Sequence, residues 1–478
     1  MMMDTICGQD HEEDRISALP DHLLLDILER LNDPRAAIQA GTLSRRWAHL
    51  PRWLSRLLLD VADFLPRDCR KHNNWTVDEV MTAYTAALTE TLQQHSSSSS
   101  GGQAAAGAAI KDLQLSFYLA EPYLRSIGRA VGDVVECGNT AELYLDFTIW
   151  VDTSHPSYEQ CVEFGKRFMA FLHECPTAFR WLTTLSLQNI TFGDSDVSDL
   201  LNACNKLEVL SLTCCDSAFA DDDPVNGEDV DTVVLAIDAP GSALLAIEIL
   251  NCEFARIDLI DAPKLGRLVY SNWSGTNPPL RFGNVPCLDN IALCRAALHW
   301  QMPFTLSQCL SNTTTLTILY LDFTDQMIWI EPEGPKHLSM IFSNLRDVYL
   351  YNIFHECDLN WTMFVLEAAP SLNNFYIKLS RHICGGFQCE DSAEKVNVLW
   401  DQPSANLKHN HLNLLQIVGF QVDEKLLKYT RLVMERAVCL KRIHLLDQQP
   451  CAKCDAMYDG RSPSPARWRF PTEEKRRN

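Results

Sequence analysis

No window of this chain approaches eighteen uncharged apolar residues, and its opening, MMMDTICGQDHEEDR, has neither a basic start nor an apolar stretch. The first absence excludes an ordinary membrane-spanning helix and the second argues against a secretory signal, so a protein of the nucleus, the cytoplasm or both is expected. Positive charge is scarce as well: 41 Lys and Arg face 62 Asp and Glu, a formal net charge of −21. Binding nucleic acid requires Lys and Arg to neutralise phosphates, so this deficit disfavours nucleic acid as the main ligand and favours a basic or mixed-charge protein partner. Also missing are a GxSxG elbow, a phosphate-cradling GxxxxGK and an HExxH pair, and the histidines are not paired at ligand spacing. The expectation is a binding protein with no catalytic residues, no cofactor and no resident metal.

Cysteine, by contrast, is plentiful. The 18 cysteines are scattered through 478 residues, many inside apolar runs, which suits reduced, buried thiols better than a disulfide framework. A chain of this length exceeds one compact core and points to several domains or a repeat array.

Residues 15–54 carry three short helical patterns with their punctuation. Pro20 suits a first helical turn, Asp21 complements its positive end, and Leu24, Ile27, Leu28 and Leu31 recur at helical spacing with charged residues between them. Asp33-Pro34 opens a second pattern at Arg35 to Ala40, and Thr42 or Ser44 caps a third that carries Leu43, Trp47 and Leu50. About forty residues hold too little interior to fold well alone, so the surplus leucines need a following domain or a partner. Leu19-Pro20, the Leu23-Leu24-x-x-Ile27-Leu28-x-x-Leu31 run and Leu43-Ser44-Arg45-Arg46-Trp47 resemble the F-box of plant F-box proteins. The resemblance implies docking on a Skp adaptor, and through it on cullin and RING subunits of a ubiquitin ligase. It assigns Leu19, Pro20, Leu24, Ile27, Leu28, Leu43 and Trp47 as contact or contact-supporting positions.

Downstream, Val80, Tyr84, Leu88 and Leu92 predict an amphipathic helix over 76–92, followed by a Ser-, Gly- and Ala-rich linker to about residue 109. From Ile110 a phrase L-x-x-L-x-L recurs, as in Leu182-Leu185-Leu187, Leu207-Leu210-Leu212, Leu316-Leu319-Leu321 and Leu440-Ile443-Leu445. The last two apolar positions stand two apart, as a short strand with one buried face requires, and stacked strands of this kind make a parallel sheet. The intervals run from about 21 to about 42 residues, and the longer ones are expected to hold helices or loops on the outer face. Cys215 and Cys252 stand three residues after the last leucine, where such repeats take Asn or Cys to tie the turn. The segment resembles the irregular leucine-rich repeats that follow the F-box in many plant receptors.

The expected fold is therefore α plus α/β: a three-helix F-box at 14–54 after an acidic disordered tail at 1–13, a connector at 55–109, a leucine-rich-repeat solenoid at 110–446 and a closing segment at 447–478. Two acidic or thiol-bearing stretches have a bland and a sharper reading. Asp221 to Asp231 lacks the ligand order and glycine of a calcium loop and reads as a solvated insertion. Cys451-x-x-Cys454 has zinc spacing, with Cys384, Cys389, His409 and His411 as possible companions, or is a pair of structural thiols. The closing segment, through Met434-Glu-Arg-Ala to that cysteine pair, resembles the terminus of a subgroup of grass F-box proteins, with no catalytic role implied. The residues between the two inward positions point away from the core, so Tyr320, Tyr349, Tyr376 and Gln416 are the expected target-binding residues. The functional expectation is a substrate receptor of an SCF ubiquitin ligase, the alternative being a repeat scaffold or inhibitor whose F-box-like helices meet another partner.

Overall fold

The structure, a computed structural model, describes residues 16, 19–30, 47, 50, 53–65, 75–96, 109–137, 143–153, 155–217, 234–252, 254, 256–273, 278–294, 303–324, 328–354, 357–380, 404 and 406–447. The second and third helices expected before Leu50, the Ser/Gly/Ala stretch, the acidic insertion at 221–231, Leu43, Cys384, Cys389, Cys451 and Cys454 lie outside them. The chain divides into two compact units, 1–154 with 167–185, and 155–166 with 186–478.

In the first unit, parallel strands Arg56–Asp60, Asp112–Tyr118 and Tyr144–Trp150 lie side by side in that order. Alternation buries Leu113, Leu115 and Phe117 on one strand and Leu145, Phe147 and Ile149 on the next. Phe117, Phe147, Phe171 and Phe179 close the core edge to face, with Phe171 and Phe179 centred 4.9 Å apart. Helix Val77–Ser96 turns Val80, Tyr84, Leu88 and Leu92 inward. Its start is a capping box, since Thr76 Oγ accepts from the Glu79 N–H at 3.2 Å and Glu79 Oε2 accepts from the Thr76 N–H at 3.1 Å. The strand Arg56–Asp60 falls in the stretch read from sequence as connector, because the unbroken Leu57-Leu58-Leu59 hides the alternation that the fold imposes on it.

The second unit is a ladder of parallel strands paired in chain order: Val209–Thr213, Ala246–Leu250, Arg267–Ser271, Asn290–Cys294, Ile318–Asp322, Asp347–Phe354, Asn374–Ser380, Leu414–Val418 and Arg442–Leu446. The recurring apolar triples form its core, Leu207, Leu210 and Leu212 or Leu316, Leu319 and Leu321 for example, all but the last of them sealed from water. In the closing strand Ile443 and Leu445 are only half-buried, because no described strand covers its far edge. Some of the longer intervals hold a helix on the return leg, as in Glu424–Arg436, whose N-cap Asp423 accepts from the Leu426 N–H at 2.7 Å. Where the interval shortens, as from Ile247 to Leu268 to Ile291, the return legs are strands. Val234–Asp238, Arg256–Asp261 and Leu280–Asn284 pair as a separate parallel sheet, which the sequence reading did not anticipate. The first of these lies in the long interval between Leu210 and Ile247 and the other two in the short ones.

A left-handed residue follows several strands, as Asn189 after Thr184–Gln188 and then Cys214, Asn251, Asn272 and Gly419, and Asn352 takes the same conformation at the bulge inside Asp347–Phe354. Asn enters this region at low cost and glycine at none. The next residue then plunges inward as Ile190, Cys215, Cys252, Trp273, Ile353 or Phe420, all buried. Cys215 Sγ reaches the Leu187 carbonyl at 3.8 Å and Cys252 Sγ the Leu212 carbonyl at 3.5 Å, so the two thiols tie neighbouring repeats as their spacing implied. Six of the described cysteines are buried, and at Cys204, Cys252 and Cys309 burial raises the thiol well above its ordinary range, which keeps it protonated and unreactive.

Gly419 tests this turn directly. Its φ is +83°, and a β-carbon there meets the Leu379 carbonyl oxygen at 2.9 Å. Gly419→Ala should lower unfolding stability by about 1–3 kcal/mol in urea melts, the usual range for a strained left-handed residue.

Candidate functional site

Two surfaces combine exposed apolar or aromatic groups with a rigid support, one in each unit. In the first unit, helix Asp21–Arg30 starts where the Pro20 carbonyl accepts from the Leu23 and Leu24 N–H groups at 3.0 and 3.2 Å. Glu29 Oε1 fixes its far end by accepting from the Ser55 hydroxyl at 2.9 Å, directly before strand Arg56–Asp60. Its leucines divide by face. Leu24 and Leu28 are sealed from water, whereas Leu23 is 40% and Ile27 37% exposed. The structure thus splits the positions assigned from resemblance: Leu24, Leu28 and Trp47 belong to the interior, Leu19 is half-buried, and Pro20 and Ile27 face solvent. Leu23 joins the exposed set. Sequence did not single it out because the run Leu23-Leu24-Leu25 gives no sign of which member the fold turns outward.

In the second unit, strands Ile318–Asp322, Asp347–Phe354 and Asn374–Ser380 pair in a register that sets Tyr320 opposite Tyr349 and Tyr349 opposite Tyr376. Gln416 continues the row beside Tyr376, and His444 follows it. The alternation that buries Leu319, Leu321, Val348, Leu350, Phe375 and Ile377 forces these side chains to the opposite face, where each tyrosine is half-buried. Tyr349 and Tyr376 stack with centroids 4.4 Å apart and planes 2° from parallel. Tyr351, one outward position further on, closes a triangle with Tyr320 at 4.9 Å and Tyr349 at 6.0 Å. It was absent from the sequence expectation, which counted only the position between the two inward residues. Lys378 Nζ lies 5.7 Å over the Tyr351 ring, and the Tyr320 hydroxyl donates to Asp322 Oδ2 at 3.5 Å.

Partial burial, followed by the nearby Tyr376 and the Asp347 charge, pushes the Tyr349 phenol up to about 12, and burial with the Asp322 charge raises Tyr320 too. These hydroxyls stay neutral at physiological pH and act as donors and acceptors. The platform offers flat aromatic area and polar tips, with no nucleophile and base in contact.

A family model described as At1g61320/AtMIF1, LRR domain, matches residues 171–466, which is 296 of the 478 residues. The chain belongs to this leucine-rich-repeat family. Its similarities extend to F-box/FBD/LRR-repeat protein At3g49030 of Arabidopsis thaliana, 26% identical over 204 residues, and to F-box protein At3g60790 of the same plant, 25% identical over 218 residues. F-box/FBD/LRR-repeat protein At5g18770, also of Arabidopsis thaliana, is 48% identical over 52 residues, 11% of each chain. The first two matches cover 42% and 43% of this chain and 42% and 41% of those proteins, well under half of each relative. With the parallel-strand ladder, these findings make the chain an F-box/LRR protein of the plant type.

The two described histidines considered as metal companions are engaged by backbone in this F-box/LRR protein. His409 is buried; its Nδ1 accepts from the His411 and Leu412 N–H groups at 3.3 and 3.0 Å, and its Nε2 meets the Ala369 carbonyl at 2.9 Å. His411 Nδ1 meets the Pro370 carbonyl at 2.8 Å. Two donors aimed at His409 Nδ1 leave the proton on Nε2, so the neutral ring staples one repeat to the next.

Burial lowers the His409 pKa below its usual value, with a smaller effect of His411 in the same direction. A depressed folded pKa means that its contribution is complete above the unfolded value near 6.5 and is lost as pH falls through the folded value. Thermal melts should therefore show a destabilisation below about pH 6.5. That acid sensitivity should shrink in His409→Gln, which itself should cost about 1–3 kcal/mol for unpaired backbone donors.

Proposed function

We propose that this F-box/LRR protein is the substrate-recognition subunit of an SCF-type ubiquitin ligase. Residues 14–54 act as the F-box, docking on a Skp adaptor and through it on cullin and RING subunits, while the repeats of 110–446 hold a target protein. The observation that carries the reading is the exposed pair Leu23 and Ile27 on a helix whose Leu24 and Leu28 are already buried. An apolar stripe in water beyond a completed interior face is the pattern of a partner surface. The printed names of the relatives, F-box and F-box/LRR, support the same assignment.

The chain contributes no acid, base or nucleophile in this scheme. Holding a target beside the transferring enzyme raises the effective concentration of its lysines, and proximity supplies the rate. The compartment that fits is the nucleus, the cytoplasm or both.

Co-purification separates this reading from a scaffold with some other partner. Leu23→Asp with Ile27→Asp changes exposed positions only, so circular dichroism should be unaltered. Adaptor binding should fall at least about thirtyfold, the loss of one ~2 kcal/mol hot spot. Unchanged adaptor binding in a folded double variant overturns the receptor reading. On the repeat side, replacing Tyr320, Tyr349 and Tyr376 with serine should abolish target capture and leave adaptor binding intact; capture of the same proteins places recognition elsewhere.

A further inference from the structure

The tyrosine platform has a charge pattern that narrows what it recognises. Three strands present three outward side chains each: Ile318, Tyr320 and Asp322; Asp347, Tyr349 and Tyr351; Asn374, Tyr376 and Lys378. The four rings pack against one another at 4.4–6.0 Å between centroids. That spacing is ordinary contact between rings and leaves no slot for a further side chain, so a ligand lies across their edges and does not insert between them. A flat bed of tyrosine edges suits an extended polypeptide, whose carbonyl and N–H groups the neutral hydroxyls can meet.

At one end of the bed stand two opposite charges with Tyr351 between them. Asp322 Oδ1 is saturated, accepting from the Thr324 N–H at 2.8 Å, the Thr324 hydroxyl at 2.5 Å and Asn352 Nδ2 at 2.9 Å. Its Oδ2 has the weaker contact with Tyr320 at 3.5 Å. Lys378 rests over the Tyr351 ring. Asp347 at the far end of the bed accepts from Asn374 Nδ2 at 2.6 Å, and two charge pairs on other strands of this unit neutralise each other, Arg267 with Glu248 at 2.7 Å and Arg256 with Asp258 at 2.6 Å. Asp322 and Lys378 instead meet neutral partners, each held in place with its charge uncancelled. They sit two strands apart, about 9.5 Å, which matches one turn of polyproline II, three residues at about 3.1 Å each, with the first and fourth side chains on one face.

Resting on the receptor reading above, we propose that the platform takes a segment of the target protein in the polyproline-II conformation that crosses the strands and carries a basic and an acidic side chain three residues apart, the basic one at Asp322 and the acidic one at Lys378. The residues between them lie over Tyr351 and the Tyr320 and Tyr349 rings, where apolar or proline side chains gain most. A strongly acidic ligand is disfavoured by Asp322 and Asp347 on the same bed and by the net charge of −21.

The experiment pans a phage-displayed library of random linear peptides on the full chain held through its adaptor. Four baits are compared: the parent, Asp322→Lys with Lys378→Glu, Lys378→Ala, and Tyr320→Ser with Tyr349→Ser and Tyr376→Ser, each checked by circular dichroism. The parent should enrich a basic and an acidic residue separated by two others. The charge-swapped bait should enrich the same spacing with the two signs exchanged, and Lys378→Ala should keep the basic preference alone. The tyrosine variant should enrich neither. A synthetic peptide of the parent consensus should bind the swapped bait at least about tenfold more weakly, or ~1.4 kcal/mol. Absence of enrichment on the parent, an uncharged consensus, or one unchanged by the swap overturns the proposal. Loss of the adaptor from the parent bait, tested by direct immobilisation, overturns the receptor reading separately and leaves the peptide result interpretable.

Discussion

The repeat unit depends on one register being kept across its whole ladder of parallel strands. Every strand of the ladder but the last buries at least two side chains, and a slip of one residue would turn them to solvent and their polar neighbours inward. The left-handed turn after several of the strands holds the register. At Cys214, Asn251 and Asn272 the backbone N–H reaches the last carbonyl of the following strand at 2.9–3.0 Å, which extends the pairing one step beyond the strand. The buried residue after it then anchors the turn to the core. Because this device repeats, the outward middle positions fall into one row, from Ser211, Glu248, Val269 and Ala292 to Tyr320, Tyr349, Tyr376, Gln416 and His444. A row of that kind is an address system. Where successive repeats place tyrosine there, the rings meet without any further instruction.

Much of this was legible in the sequence. The phrase L-x-x-L-x-L locates the strands, and its two-residue step separates the sealed Leu319 and Leu321 from the outward Tyr320. The cysteine after the turn was readable for Cys215 and Cys252 because a small thiol can reach a carbonyl of the preceding repeat. The outer layer was less legible. Its second sheet is built from segments such as RIDLID, whose Ile257 and Leu259 alternate as a strand should, but they sit where a helix is the usual return leg. At the N-terminal helix, composition names the leucines and cannot apportion them, since the interior that takes Leu24 and Leu28 is assembled from residues distant in sequence. Tyr351 escaped notice for another reason. It lies beside a bulge, with the pairing to the next strand shifting between Leu350 and Ile353, so a strict repeat phrase stops one residue short of it.

The polar groups buried in the ladder follow the same logic. His409 satisfies two backbone donors and one carbonyl across a junction between repeats. Thr362 and Tyr429 share a hydrogen bond of 2.6 Å under helix Glu424–Arg436, and burial raises that phenol far above its ordinary range. Such groups favour one arrangement by making the alternatives leave a donor unpaired, a penalty of about 1–3 kcal/mol each. The specificity of the fold rests on them, and its bulk stability on the leucines.

The two faces of a strand therefore answer to different demands. Leu321 and Leu350 are fixed by the volume left between their neighbours, so even one methylene matters there. Tyr320 and Tyr349, one position away on the same backbone, contact the other rings of the outward face and solvent. A change in the outward row alters what the surface recognises at little cost to the ladder beneath, because inward packing never involves it. The irregular intervals extend the same separation to the return legs, which vary between helix, strand and loop while the inner row keeps its spacing. A scaffold with this division can be respecified by few substitutions, and a receptor whose own chemistry ends at binding requires no more of its fold than that the row stays straight.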